Sequence, residues 1–207
     1  EAVPGHPMQL REGDVVDLPS LGLRFEVLDV PGHTARHIAY VGPERQDKYV
    51  RYGWNQIVSE IVTTGLFDED IPLTRPTQSQ RARVARVMKR FGLWGLRNRK
   101  LLALSYGQRR LVLVARAFAS TAPVLLLDEV FNGLDTKTRD KLRRALEAPR
   151  AGHTWVLTTH RPKELPHNVT HVAYIEQGRI VHQGLARDAS AHVVRVSRKK
   201  DGRGNVE

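Results

Sequence analysis

The chain has 207 residues, 41% of them hydrophobic and none of them cysteine, so a packed core is affordable and disulfides and thiolate metal sites are excluded. No apolar run approaches the ~20 residues needed to span a bilayer, and the opening Glu1-Ala2-Val3-Pro4 does not resemble a signal peptide, so a soluble cytoplasmic protein is expected. The net charge of +11 is uneven, −3 over residues 1–45 and +14 over 46–207; spread along helix faces without aromatic interleaving, it points to no clear nucleic-acid partner, and a basic nucleic-acid-binding protein stands as an alternative function.

In chain order, the first methionine is Met8, which suggests a fragment or a processed product. Leu21 to Val30 alternates apolar and polar residues through Leu23, Phe25 and Val27, as a half-buried strand does. Pro31-Gly32 breaks it, and a short strand is predicted over His37–Val41, closed by Gly42-Pro43. The texture then turns helical. A helix is predicted over Asn55–Thr64, and another begins at Thr77-Gln78-Ser79-Gln80, which has capping-box spacing and is followed by Val84, Val87, Met88 and Phe91 on one face. Gly92 should end it.

After Gly107 the run Leu111–Ala115 is apolar all round and predicts a deeply buried helix. Val124–Leu127 reads as a central parallel strand, Thr136–Glu147 as a polar helix and Thr154–Thr158 as a further strand. Val172–Ile175 and Arg179–His182 flank a Gln177-Gly178 turn. Alternating helices and strands imply an α/β sheet, and no internal repeat is present. Arg198-Lys199-Lys200 marks a basic tail over 191–207.

Four elements in this order carry chemistry. Ser105, Tyr106, Gly107 and Gln108 open the buried helix, where free N–H groups and the helix dipole favour a phosphate and Gly107 permits close approach. The Val124–Leu127 strand runs into Asp128-Glu129, at the end of a parallel strand where such sheets bind ligands. There Asp128 can hold Mg²⁺, while Glu129 can orient or deprotonate a water. Gly133-Leu134-Asp135 follows, and His160 ends the next strand, within reach of a terminal phosphate.

Together these residues resemble the ABC ATPase family over about 43–184. Leu104–Gln108 is similar to the signature LSGGQ, with Tyr106 in place of its first glycine. Leu125–Glu129 resembles Walker B with its catalytic glutamate, Gly133–Asp135 the D-loop and His160 the switch histidine of the H-loop. Gln46, 59 residues before Ser105, resembles the Q-loop glutamine. The stretch Tyr52–Asp68 and the LSYGQ signature look most like the molybdate-transport (ModF-like) branch. The resemblance implies ATP and Mg²⁺ as cofactors, a second ABC ATPase module and a membrane permease as partners, and a place on the cytoplasmic face of the inner membrane. It also implies a Walker A loop, G-x-x-x-x-G-K-[ST], which the chain lacks: only Lys137 is followed by Ser or Thr, and Thr136 precedes it. An incomplete P-loop NTPase module with a helical subdomain, over 43–190 and inactive alone, is therefore expected.

Val30-Pro31-Gly32-His33-Thr34-Ala35-Arg36-His37-Ile38 resembles instead the PGHTxGH segment of glyoxalase II and other metallo-β-lactamase-fold hydrolases. This implies a β-rich hydrolase fragment over 1–42, a thioester hydrolase as the alternative function, and His33 as a zinc ligand. The family's HxHxDH cluster and its bridging aspartate are missing, so bound zinc is not expected. The two resemblances meet between Thr34 and Gln46, as a gene fusion would leave them.

Overall fold

The computed structural model describes residues 15–18, 23–26, 38–67, 69, 71, 73–148, 154–176 and 179–188. The chain divides into two compact units, one over Ala35–His167 and one combining Glu1–Thr34 with Asn168–Glu207. In chain order the described strands are β1 (Val15–Leu18), β2 (Leu23–Glu26), β3 (Ile38–Val41), β4 (Val124–Asp128), β5 (Thr154–Thr158), β6 (His171–Glu176) and β7 (Arg179–Leu185). The helices are α1 (Pro43–Arg51), α2 (Val58–Thr64), α3 (Gln78–Arg90), α4 (Tyr106–Ala119) and α5 (Thr136–Glu147).

The Ala35–His167 unit is built on a parallel sheet of order β3-β4-β5. Its register sets Tyr40 opposite Leu126 and Leu126 opposite Val156, so odd and even positions of β4 face opposite ways. Leu125 and Leu127, almost fully buried, join the core together with Val41, Trp155 and Leu157. Burying each such leucine stabilises the fold by roughly 1.5–3 kcal/mol. The other face carries Ile38, Tyr40 and Val156 at 46%, 45% and 43% exposure.

α4 lies against β3, β4 and α2 and is buried along its length from Arg110 to Ala119, as its all-round apolar sequence predicts. Its second buried cation, Arg116, is satisfied at the end of α2: Nε donates to Thr64 Oγ1 at 2.9 Å and Nη2 to the Glu69 carbonyl at 2.6 Å. α3 starts at the Thr77–Gln80 capping box and runs to Arg90, with Val84, Val87 and Met88 inward and Gly92 at φ +65° just beyond. α2, α3 and α4 pack on one another as a helical subdomain.

Two elements differ from expectation. The helix predicted from Asn55 begins only at Val58, because residues 56–58 pair with residues 99–101: Val58 N–H donates to Arg99 and Leu101 N–H to Gln56. The strand expected over Leu21–Val30 is described as Leu23–Glu26, pairing antiparallel with β1. In the same unit β6 and β7 pair antiparallel with Glu176 opposite Arg179, and β7 extends past His182 to Leu185 because β6 supplies partners that far.

Candidate functional site

At the carboxyl end of β4 the register aligns Asp128 with Thr158 of β5. The Thr158 hydroxyl donates to Asp128 Oδ1, and the Tyr40 hydroxyl donates to Asp128 Oδ2 at 3.0 Å. Both carboxylate oxygens are thus fixed by hydroxyls from the flanking strands, while an ionised carboxylate retains further lone pairs. Glu129 follows at φ +46°, a left-handed conformation that costs a non-glycine residue roughly 1–2 kcal/mol. Its N–H donates to Thr158 Oγ1 at 3.0 Å, which helps to hold the turn. The Glu129 carboxylate is clasped from two sides: Asn132 Nδ2 donates to Oε2 at 2.5 Å, and His160 Nδ1 lies 3.7 Å from Oε1. Asp128, Glu129 and His160 therefore lie at one corner.

A second cluster joins the starts of α4 and α5. Ser105 caps α4: its Oγ accepts from the Gln108 N–H at 3.3 Å, and Gln108 Oε1 accepts from the Ser105 N–H at 3.0 Å. Asp135 caps α5, accepting from the Thr138 N–H at 2.9 Å and from its hydroxyl at 2.7 Å. Those two hydrogen bonds, the hydroxyl first, hold the Asp135 carboxyl below its ordinary pKa. The two helix starts then interlock. A Cβ on Gly107 would lie 3.0 Å from Thr138 Cγ2, and a Cβ on Gly133, itself at φ +71°, would lie 2.9 Å from Tyr106 Cε1. Both glycines make the contact possible. The Tyr106 ring is held from behind by Arg110, whose Nη2 donates to its hydroxyl at 2.8 Å.

These features occur in a recognisable setting. The ABC transporter family matches residues 26–132, more than half of the chain. The chain belongs to the ABC transporter family. Relatives include the chelated iron transport system membrane protein YfeB of Yersinia pestis, 36% identical over 141 residues that make up 68% of this chain and 47% of that protein. The sulfate/thiosulfate import ATP-binding protein CysA 1 of Agrobacterium fabrum is 42% identical over 118 residues, 56% of this chain and 34% of that protein. The chain thus spans about half or less of the length of these two relatives. Among solved structures, the ADP conformation of MJ1267, an ATP-binding cassette of an ABC transporter, matches with a TM-score of 0.58 at 19% identity, covering 78% of this chain and 68% of that one. The cbiO1 protein from Clostridium perfringens, part of the ABC transporter complex cbiONQ, matches with a TM-score of 0.58 at 25% identity, covering 79% and 64%. The fold is the α/β P-loop NTPase fold of ABC ATPases, of which this chain spans part.

The ABC match corrects the hydrolase reading of residues 10–41. It begins at residue 26, inside that segment, and β3 pairs with β4 of the ABC sheet. His33 and His37 lie outside the described residues, and among those described no group of three or more His, Asp or Glu side chains could hold a metal. Gln46 falls on α1, buried to 3% exposure, and among the described residues its Oε1 accepts no hydrogen bond. No hydrogen bond or ion pair joins the Ser105–Gln108 cluster to that corner among the described residues either. Sequence reasoning missed Tyr40, Thr158, Asn132 and Arg110. The first two share a sheet face with Asp128, a relation that needs the strand register, whereas Arg110 stands at i+4 from Tyr106 and was open to a helical reading. No described helix is long and apolar enough to cross a membrane.

Proposed function

We propose that this chain supplies the signature, Walker B, D-loop and H-loop elements of an ATP site whose phosphate loop comes from elsewhere. The observation that carries the reading is the corner at the end of β4, where Asp128, Glu129 and His160 converge with His160 Nδ1 at 3.7 Å from the Glu129 carboxylate. Asp128 fits a Mg²⁺ ion, which takes one or two carboxylates and otherwise water and phosphate oxygens. Bound MgATP would supply the phosphoanhydride to be cleaved. Glu129, held by Asn132, is placed to orient a water and accept its proton, and His160 to donate to an oxygen of the terminal phosphate. The start of α4 offers backbone N–H groups and the Ser105 hydroxyl to a phosphate carried by a second module. With no lysine in a G-x-x-x-x-G-K-[ST] setting, this chain lacks the nest and cation that grip the nucleotide. The partners in this reading are a second ABC ATPase module and a membrane permease, which would hold the protein at the cytoplasmic face of the inner membrane.

The reading is tested by pull-down with an intact ABC ATPase module. Association should require ATP and weaken in Ser105→Arg, which blocks the approach to the start of α4. The purified chain alone should hydrolyse no ATP, since removing even one electrostatic donor commonly costs ~10²–10³ in rate. Association indifferent to nucleotide and mutation, or a stand-alone ATPase abolished by Glu129→Gln, would overturn it.

A further inference from the structure

Glu164 is the one carboxylate among the described residues that is almost fully buried, at 5% exposure, and it lies in the 3₁₀ turn Pro162–Glu164 just after His160. Its Oε2 accepts from the Thr159 hydroxyl at 3.1 Å, and its Oε1 lies 3.5 Å from Arg161 Nη1. The Arg161 N–H in turn donates to Thr159 Oγ1 at 3.1 Å. Both neighbours of His160 are therefore tied to one carboxylate. From the other side Arg139, on the first turn of α5, brings its Nε to 3.2 Å from Glu164 Oε1, a charge contact rather than an aligned hydrogen bond. The same guanidinium donates through Nη2 to the Leu134 carbonyl at 2.9 Å, in the middle of the Gly133–Asp135 turn.

We propose that Arg139 and Glu164 are positioning residues that form a latch coupling the Gly133–Asp135 turn to the loop that carries His160. The need for such a device follows from exposure. The His160 and Glu129 side chains are 56% and 45% exposed, so packing does little to hold the imidazole near the carboxylate. What fixes His160 is the backbone on either side of it, and that backbone is anchored by Glu164. A buried carboxylate resists losing its cation, because an unpaired buried charge is costly. Displacing the Gly133–Asp135 turn pulls on Arg139, and if Arg139 leaves, the buried carboxylate keeps only the longer contact to Arg161, whose side chain is 53% exposed, and the Thr159 hydroxyl. The latch therefore transmits the position of one loop to the other. Its functional meaning rests on the reading of His160 and the Gly133–Asp135 turn as parts of an ATP site; the mechanical link does not.

The test is nuclear magnetic resonance of the full chain without nucleotide, with labelled histidine rings and backbone amides. Glu164→Gln keeps the size of the side chain and removes its charge, while Arg139→Lys keeps the charge and loses the fork that reaches both loops. Each single substitution is expected to shift the His160 ring signals and the Gly133 and Asp135 amides together, and to leave the rings of His171 and His182 in place. If Glu164→Gln unfolds the protein, Glu164→Asp, which withdraws the carboxylate by one methylene, is read on the same two sets of signals. The latch is refuted if Glu164→Gln or Glu164→Asp moves His160 alone, if Arg139→Lys moves the Gly133 and Asp135 amides alone, or if neither set moves. Because no nucleotide is present, joint shifts alongside a failed ATP-dependent pull-down would uphold the latch and reject the ATP reading.

Discussion

Gly133→Ala should be among the more damaging single-methyl additions in this protein, and its cost separates into two parts. The first is conformational: at φ +71° any side chain pays roughly 1–2 kcal/mol for the left-handed backbone. The second comes from Tyr106, whose Cε1 would stand 2.9 Å from the new methyl. Tyr106 is 41% exposed, so its ring can swing outward, but it then leaves Arg110. Arg110 is 1% exposed, its Nε and Nη1 make no hydrogen bond among the described residues, and the Tyr106 hydroxyl at 2.8 Å is the bond it would lose. Hydrogen bonds to charged groups contribute about 1.5–3 kcal/mol. The sum is roughly 2.5–5 kcal/mol, a large share of the stability of an ordinary domain. Equilibrium urea unfolding of Gly133→Ala, Tyr106→Gly and the double variant measures the two parts. With the ring gone, Gly133→Ala should cost only its backbone part, about 1–2 kcal/mol. An equal cost of Gly133→Ala with and without the ring would refute the packing argument, and a negligible cost would refute both parts.

Two further outcomes follow from the same geometry. Asp135 has its pKa lowered by the Thr138 hydroxyl and N–H, so its contribution to stability is present above the unfolded carboxylate value, about pH 4, and is lost as pH falls through the lower folded value. The stability difference between the protein and Asp135→Ala should therefore be constant above about pH 5 and shrink in acid; a difference that grows in acid would contradict the sign. On the sheet, Leu127→Ala should cost about 2–5 kcal/mol and Val156→Ala under about 1 kcal/mol, because their side chains are 1% and 43% exposed on opposite faces; equal costs in urea unfolding would show the outer face to be covered.

The elements legible in the sequence were those whose signals are local. α3 and α5 begin at their capping residues, Thr77 and Asp135, and the buried nature of α4 follows from an unbroken apolar run. The start of α2 was not legible, because its supposed first turn is taken up by pairing with residues more than forty positions away. The short PGHT segment misled because a few residues can match a family without the rest of its ligand set, and the ABC match runs through them from residue 26. The site divides in the same way. Asp128, Glu129 and His160 could be ordered from the strand pattern, since carboxyl ends of parallel strands converge. Tyr40 and Thr158 could not, since a tyrosine and a threonine are ordinary strand residues until the register sets them around Asp128. Ser105 and Gln108 illustrate a different gap. Their spacing is a capping-box signal as much as a phosphate-binding one, and the structure engages both side chains with each other's backbone.

The polar helix α5, whose one candidate residue is its cap Asp135, touches three of the segments that carry candidate residues or anchor them. Its cap and two residues of its first turn stand at i, i+3 and i+4, the spacing that brings side chains to one face. Asp135 fixes the turn that precedes the helix, Thr138 receives the bare face of Gly107 at the start of α4, and Arg139 bridges Leu134 to the buried Glu164. One helical turn thus touches the Ser105–Gln108 segment, the Gly133–Asp135 turn and the anchor of the His160 loop. These are three different kinds of contact: a cap, a van der Waals fit and a buried ion pair. A rigid rotation of this helix start would disturb all three at once, whereas motion of any one loop alone would have to break its own contact. Coupling through a single packed turn needs no long chain of intermediates, because each contact has one geometry in which its partner is satisfied.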